Sequence, residues 1–161
     1  MAEACVVNAS PLIFLARGGH FGLLRIFEGP VYVPHAVTEE IRRRGSADPT
    51  ARALETNDWI EEIADGPIPS SVQAWALGPG ESSVIAEALR RPGARDVVDD
   101  LAGRKCAISL SVPLAGTLGI VLLARRRGVI PAARPVMEDL VVAGMFLSRT
   151  VLDRALASVG E

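Results

Sequence analysis

Short apolar runs alternate with helix-forming segments along most of this chain, and that alternation narrows its fold more than any other feature. Ala4–Val7, Val31–Val33 and Asp96–Val98 are brief and rich in valine, as strands buried on both faces of a sheet are. Strands separated by helices specify an α/β fold with a mainly parallel sheet. In such a sheet the ligand site lies beyond the carboxyl ends of the strands, at a topological switch point. The residues that follow each strand therefore carry the functional information.

The first strand stops at Asn8-Ala9-Ser10-Pro11. Ser10 as N-cap and Pro11 at the first helical position open a helix that Gly18-Gly19 closes. A second short helical run covers His20–Phe27, and Gly29-Pro30 turns the chain into Val31–Val33. Pro34 opens the next helix, with Val37 and Ile41 on one face and Gly45 at its end. Ala51–Leu54 reads as a short helix, Trp59–Ile63 alternates like an edge strand, and Asp65–Ser71 is a loop. Gly78-Pro79-Gly80-Glu81 leads into a helix through Leu89, with Val84 and Ile85 facing inward. Beyond Asp99-Asp100 a helix carries Arg104 and Lys105, Ile108–Val112 reads as a further strand, and Thr117 begins an apolar helix to Ala124. Helices over Ala132–Ala143 and over 148–159 complete the chain, the second capped by Ser148 and added as a C-terminal extension.

With 161 residues the chain is expected to form a single domain over 1–161. Hydrophobic residues make up 49% and charged residues 22%, enough apolar material for a core, which excludes disordered and low-complexity classes. A net charge of −2 argues against a protein that coats nucleic acid non-specifically, while leaving local basic patches open. Lys105 is the only lysine among the basic residues; the rest are arginine, which favours planar, bidentate partners, although high-GC codon usage explains the same bias more simply. Cys5 and Cys106 stand alone in apolar stretches, with neither disulfide nor zinc spacing, and are expected as buried small hydrophobes in a reducing compartment. The uncharged stretch Cys106–Ala124 approaches the length of a membrane span, but Pro113, Gly116 and Gly119 interrupt it. A buried strand followed by a buried helix accounts for it better. The N-terminus lacks the basic segment of a targeting signal, so the expected location is the cytoplasm, with no membrane association.

Asn8 and Ser10 follow the first strand, Asp99 and Asp100 the third, and Pro113–Thr117 the next. Glu40 sits on the helix after the second strand and Glu81 opens its own helix. Clustered carboxylates repel one another unless a positive charge lies between them. A hard divalent cation answers that need, and Mg²⁺ is typically held by a few carboxylates while keeping several waters. Each residue taken singly also has a structural reading. Glu40 suits a solvated helix face, Glu81 complements a helix dipole, Asp99-Asp100 caps a helix, and Asn8 closes a turn.

Other chemistries lack their motifs. His35 and Glu39 lie four apart with no second histidine for zinc, and His20 reads as a loop or surface residue. No G-x-S-x-G, G-x-G-x-x-G or Walker A pattern occurs.

The blocks VVNASPLIFLARGGHFGLLRIFEGPVYVPHAVTEEI, GPGESSVIAEAL, VVDDLAGRKCA and AGTLGIVLLARRRGVI, in that order, resemble the PIN domain family, most closely its VapC-like toxins of toxin–antitoxin systems. The resemblance spans nearly the whole chain. It implies a PIN-like fold, a twisted parallel sheet flanked by helices on both faces. It also implies Mg²⁺- or Mn²⁺-dependent endoribonuclease activity on single-stranded RNA, a cognate antitoxin and a tendency to form homodimers. By position, Glu40, Glu81 and the pair Asp99 and Asp100 match the family's acids, without distinguishing which of the pair faces the metal. Ser10 and Thr117 match hydroxyl positions near them. The departure is Asn8, where the family usually has Asp: an amide oxygen can still ligate a hard cation but brings no charge.

Mechanistically, the acids with Asn8 are expected to hold the metal, and a metal-bound water to attack the phosphodiester in line. Arg104 and Lys105 are expected to steer the RNA backbone. Arg42–Arg44 and Arg125–Arg127 are secondary candidates for that task, more simply read as solvated helix faces. Asn8 also separates the alternative of a catalytically impaired PIN-like binding protein. A generic metal-dependent phosphohydrolase would instead cleave small phosphate esters.

Overall fold

A computed structural model describes residues 2–161. Five strands form one sheet: β1 (Glu3–Val7), β2 (Glu28–Pro34), β3 (Ile60–Ile63), β4 (Arg95–Val97) and β5 (Leu114–Ala115). Their order is β3-β2-β1-β4-β5, and every neighbouring pair is parallel. Parallel neighbours need crossover connections, which is why helices separate the strands in sequence. The chain runs outward from β1 to β2 and β3, then returns to the far side of β1 for β4 and β5. The switch point thus falls between the carboxyl ends of β1 and β4, at Asn8 and Asp99-Asp100.

The helices are α1 (Ala9–Arg17), α2 (His35–Arg42), α3 (Pro49–Thr56), α4 (Ser70–Gln73), α5 (Pro79–Arg90), α6 (Leu101–Ser109), α7 (Thr117–Arg126), α8 (Arg134–Val142) and α9 (Arg149–Ala157), with a 3-10 helix over Phe21–Phe27. Helix α5 lies against β1, β2 and β4, with α2, α4 and α6 beside it. Helices α1, α7 and α8 pack on one another, and α9 packs on α7. Val6, Leu12, Leu24, Ile85, Ile120 and Leu140 are fully buried between these layers. Cys5 and Cys106 are free and buried, and burial pushes the Cys5 thiol up to about 12, so it behaves as a small hydrophobe.

The chain end is fastened. Ser148 Oγ accepts the Val151 N–H at 3.2 Å and caps α9. The Glu161 carboxylate accepts the N–H groups of Ala133 and Arg134 at 2.8 and 2.9 Å, at the head of α8, where the helix dipole favours an anion.

Three local expectations are corrected. Ile108–Val112 is not a strand: α6 continues to Ser109, Ser111 turns the chain with φ 57°, and β5 is only Leu114–Ala115. A short buried apolar run fits a helix end as well as a strand. Gly29-Pro30 is no turn but part of β2. A Cβ on Gly29 would stand 2.3 Å from the Glu3 carbonyl oxygen, so glycine here permits close approach of two backbones where the β1–β2 register shifts. The N-cap of α1 is Asn8, and Ser10 lies inside the first turn with Pro11. The stretch Cys106–Ala124 divides among α6, β5 and α7, and no helix among the described residues is long and apolar enough to cross a membrane.

Candidate functional site

Asn8 leaves the end of β1 as the cap of α1, and its N–H donates to the Val97 carbonyl of β4 at 3.0 Å. That bond pins it at the switch point. Its side chain makes no capping hydrogen bond and is buried. Glu40, on α2, reaches the same place because α2 packs on α5. Gly80, in the first turn of α5, marks the meeting point. A Cβ there would lie 3.2 Å from Glu40 Oε2 and 3.4 Å from Asn8 Oδ1. Glycine thus leaves open the space that the two oxygens face.

Glu81 follows in the same turn of α5. Burial, then the charges of Asp100 and Glu40, raise its pKa against a hydrogen bond from the Gly78 backbone. Those two carboxylates are near enough to be felt, so Glu40, Glu81 and Asp100 form one electrostatic neighbourhood. Asp100 is the N-cap of α6, with Oδ2 accepting the Gly103 N–H at 3.1 Å.

Asp99 is arranged differently from Asp100. Both its carboxylate oxygens are turned to Thr117, which is fully buried at the head of α7. Gly116 makes room for this: a Cβ there would meet Arg104 Nη1 at 2.8 Å and Asp99 Oδ1 at 3.1 Å. Arg104 donates to the Val98 carbonyl at 3.2 Å, beside the acids. Lys105, the next residue of α6, is exposed, and Ser10 is half-buried.

One acid near the site escaped the sequence reading. Asp96, in the middle of β4, has no exposure, and neither carboxylate oxygen has a hydrogen-bond partner among the described residues. Burial pushes it up to about 8, with Arg104 lowering it and Glu81 raising it. The signal was an acid directly before the apolar pair Val97-Val98.

Several of the remaining candidates have structural partners, though Arg43 is exposed with no carboxylate within salt-bridge distance among the described residues. Arg42 is held by Glu62, which also bonds His35, and the Arg42 hydrogen bond takes Glu62 down to about 2. Arg44 pairs with Asp48, and Arg125 with Glu161. His20 meets Asp139 at 2.8 Å.

The model of the family described as PIN domain matches residues 4–161. The chain belongs to the PIN domain family. The match includes α9, and it agrees with the all-parallel five-stranded sheet and its flanking helices. PIN domains are typically nucleases and generally use divalent metals. No curated protein matches the sequence significantly.

The donor set suits such an ion in kind: the amide oxygen of Asn8 and the carboxylates of Glu40, Glu81 and Asp100 are all hard oxygens. Among the described residues, no three His, Cys, Asp or Glu side chains gather tightly enough to cage an ion by themselves. Mg²⁺ is commonly held by one or two carboxylates and keeps water for the rest, so an open set agrees with its habits.

Proposed function

We propose that this PIN domain is a metal-dependent endoribonuclease that cleaves single-stranded RNA, the toxin of a cytoplasmic toxin–antitoxin pair. The observation that carries the reading is the convergence of Asn8 Oδ1 and Glu40 Oε2 over Gly80, at the switch point of a parallel sheet. Glu81 and Asp100 add their charges to the same place. Mg²⁺ or Mn²⁺ held by Asn8, Glu40, Glu81 and Asp100 would supply Lewis-acid stabilisation of the charge that develops on the phosphodiester.

The chain's own groups have distinct tasks in this reading. Glu81, whose proton affinity is raised by burial and by the charges of Asp100 and Glu40, is the carboxylate that a bound cation would relieve most. Asp99, oriented by Thr117, borders the cluster and keeps the head of α7 against it. Arg104 offers its guanidinium to a phosphate next to the acids, and the exposed Lys105 adds charge along the same helix. Leu101 and Ile108, each 65% exposed on α6, are open apolar side chains for an antitoxin or a second copy of the chain.

A second reading rests on Asn8. Without a carboxylate there the site has one charge fewer, which favours a catalytically impaired binding protein. RNA cleavage with Mn²⁺, with Mg²⁺ and with EDTA decides between them, run on the wild type, an Asp99→Ala/Asp100→Ala variant and Asn8→Asp. Metal-dependent cleavage lost in the double variant supports the nuclease. A silent wild type with an active Asn8→Asp variant supports the impaired protein, and silence from both removes the nuclease reading.

A further inference from the structure

A cleft of about 750 Å³ lies along α7 and β5. One end is bounded by Asp99, Arg104 and Gly116, so it opens beside Asp99 at the border of the acid cluster; Arg126 and Arg127 stand at the other. Leu118 and Leu122 of α7 line the stretch between, and Phe146, in the loop from α8 to α9, also lines the cleft.

The arginines of this cleft are not equivalent. Arg95 is neutralised by Glu3 at 2.8 Å. Arg104, Arg126 and Arg127 donate to neutral oxygens instead: the Val98 carbonyl, the Ser158 hydroxyl and the Ile26 carbonyl. None of the three has a carboxylate partner within salt-bridge distance among the described residues. Arg42, Arg44 and Arg125, from the same arginine-rich runs, are all tied to carboxylates. Three guanidinium groups without a carboxylate partner thus line the cleft that reaches Asp99. Phe146 is 88% exposed there, an aromatic face left to solvent. A purely apolar protein segment would fill the floor and leave three guanidinium groups without counter-charge. A single strand of nucleic acid brings a phosphate for each guanidinium and a flat base for the ring.

We propose that this cleft is the track for single-stranded RNA flanking the cleavage point, with Arg126 and Arg127 on phosphates and Phe146 under a base. The proposal rests on the nuclease reading for its substrate. It adds residues that the acid cluster does not include.

The test is anisotropy of a fluorescein-labelled oligoadenylate long enough to span the cleft, with a labelled dinucleotide as the short probe, both in EDTA. Phe146→Ala and Phe146→Leu are expected to weaken oligoadenylate binding roughly tenfold, and Phe146→Tyr to retain it, because stacking needs an aromatic face. Arg126→Ala is expected to reduce the slope of log K against log salt by about 0.7, the share of one phosphate contact on a single strand. The dinucleotide, too short to reach the far end, should respond to neither. Thermal midpoints check that the variants are folded. Wild-type affinity in Phe146→Ala and Arg126→Ala, or retention by Phe146→Leu, overturns the track and returns the cleft to a protein occupant. Cleavage in Mn²⁺ is scored separately. Binding through Phe146 and Arg126 without cleavage keeps the track and removes the nuclease reading; cleavage with binding indifferent to both residues does the reverse.

Discussion

Asp99 holds Thr117 with both carboxylate oxygens: Oδ1 accepts the Thr117 N–H and Oδ2 its hydroxyl, each at 2.7 Å. Asp100, one residue later, caps α6 and lends its charge to Glu81. Adjacent acids that look alike in sequence are therefore separated by the fold. One fixes where α7 begins, and the other is available to the cluster of Glu40 and Glu81.

That division predicts different outcomes for two mild substitutions. Thr117→Val leaves Asp99 Oδ2 without its hydroxyl donor in a part-buried setting and should cost about 1–3 kcal/mol in urea unfolding. Asp100→Asn preserves the cap, since Asn and Asp are about equally good there, and stability should change by less than about 0.5 kcal/mol. Loss of the Asp100 charge should nevertheless lower metal-dependent cleavage by at least about tenfold. An Asp100→Asn protein with full activity would remove Asp100 from the metal-holding set.

Asn8→Asp places a carboxylate beside Glu40 over Gly80. Without a divalent cation the new repulsion should lower the thermal midpoint, and added Mn²⁺ should raise it by more than it raises the wild type. The added charge should improve Mn²⁺ affinity by about tenfold. Equal Mn²⁺ shifts in both proteins would show that position 8 does not face the ion.

Gly80→Ala puts a methyl group 3.2 Å from Glu40 Oε2 and 3.4 Å from Asn8 Oδ1. Alanine favours the helix, so the unfolding free energy should stay within about 1 kcal/mol of wild type. The methyl nevertheless occupies the space the two oxygens face, so the Mn²⁺-induced thermal shift should be strongly reduced. An unchanged shift would place the ion elsewhere.

How far the sequence revealed this arrangement differs from residue to residue. The strand-then-polar pattern at Val7-Asn8 and Val98-Asp99-Asp100 located the switch point, because chain order and parallel pairing leave few other places for a site. Asp99 and Asp100 could not be distinguished, since their roles depend on Thr117 and Glu81, which approach only through tertiary packing. Gly80 carried no signal beyond a helix start; its importance lies in what stands opposite it. The error at Ile108–Val112 arose because apolar burial is shared by helix ends and strands, and β5 is too short to leave a pattern. Likewise Arg126 and Arg127 resemble Arg42 and Arg44 in sequence, and only tertiary packing gives the latter two their carboxylates, Glu62 and Asp48.

Asp96 gives the last prediction. Its native pKa stands near 8, against the ordinary aspartate value of 3.8 expected once unfolded. Between those values the folded chain binds a proton that the unfolded chain has released, so stability falls as pH rises through that window. The loss is on the order of 1 kcal/mol for each pH unit from this group, nearly all of it accrued by pH 8. Asp96→Asn carries no proton to lose, and its own burial cost is the same at every pH. Urea unfolding of both proteins from pH 5 to pH 8 isolates the group as the difference between two curves. The variant should gain on the wild type steadily across that range and level off above it. Parallel curves would mean that Asp96 is ionised in the native chain, with a cationic partner strong enough to offset complete burial.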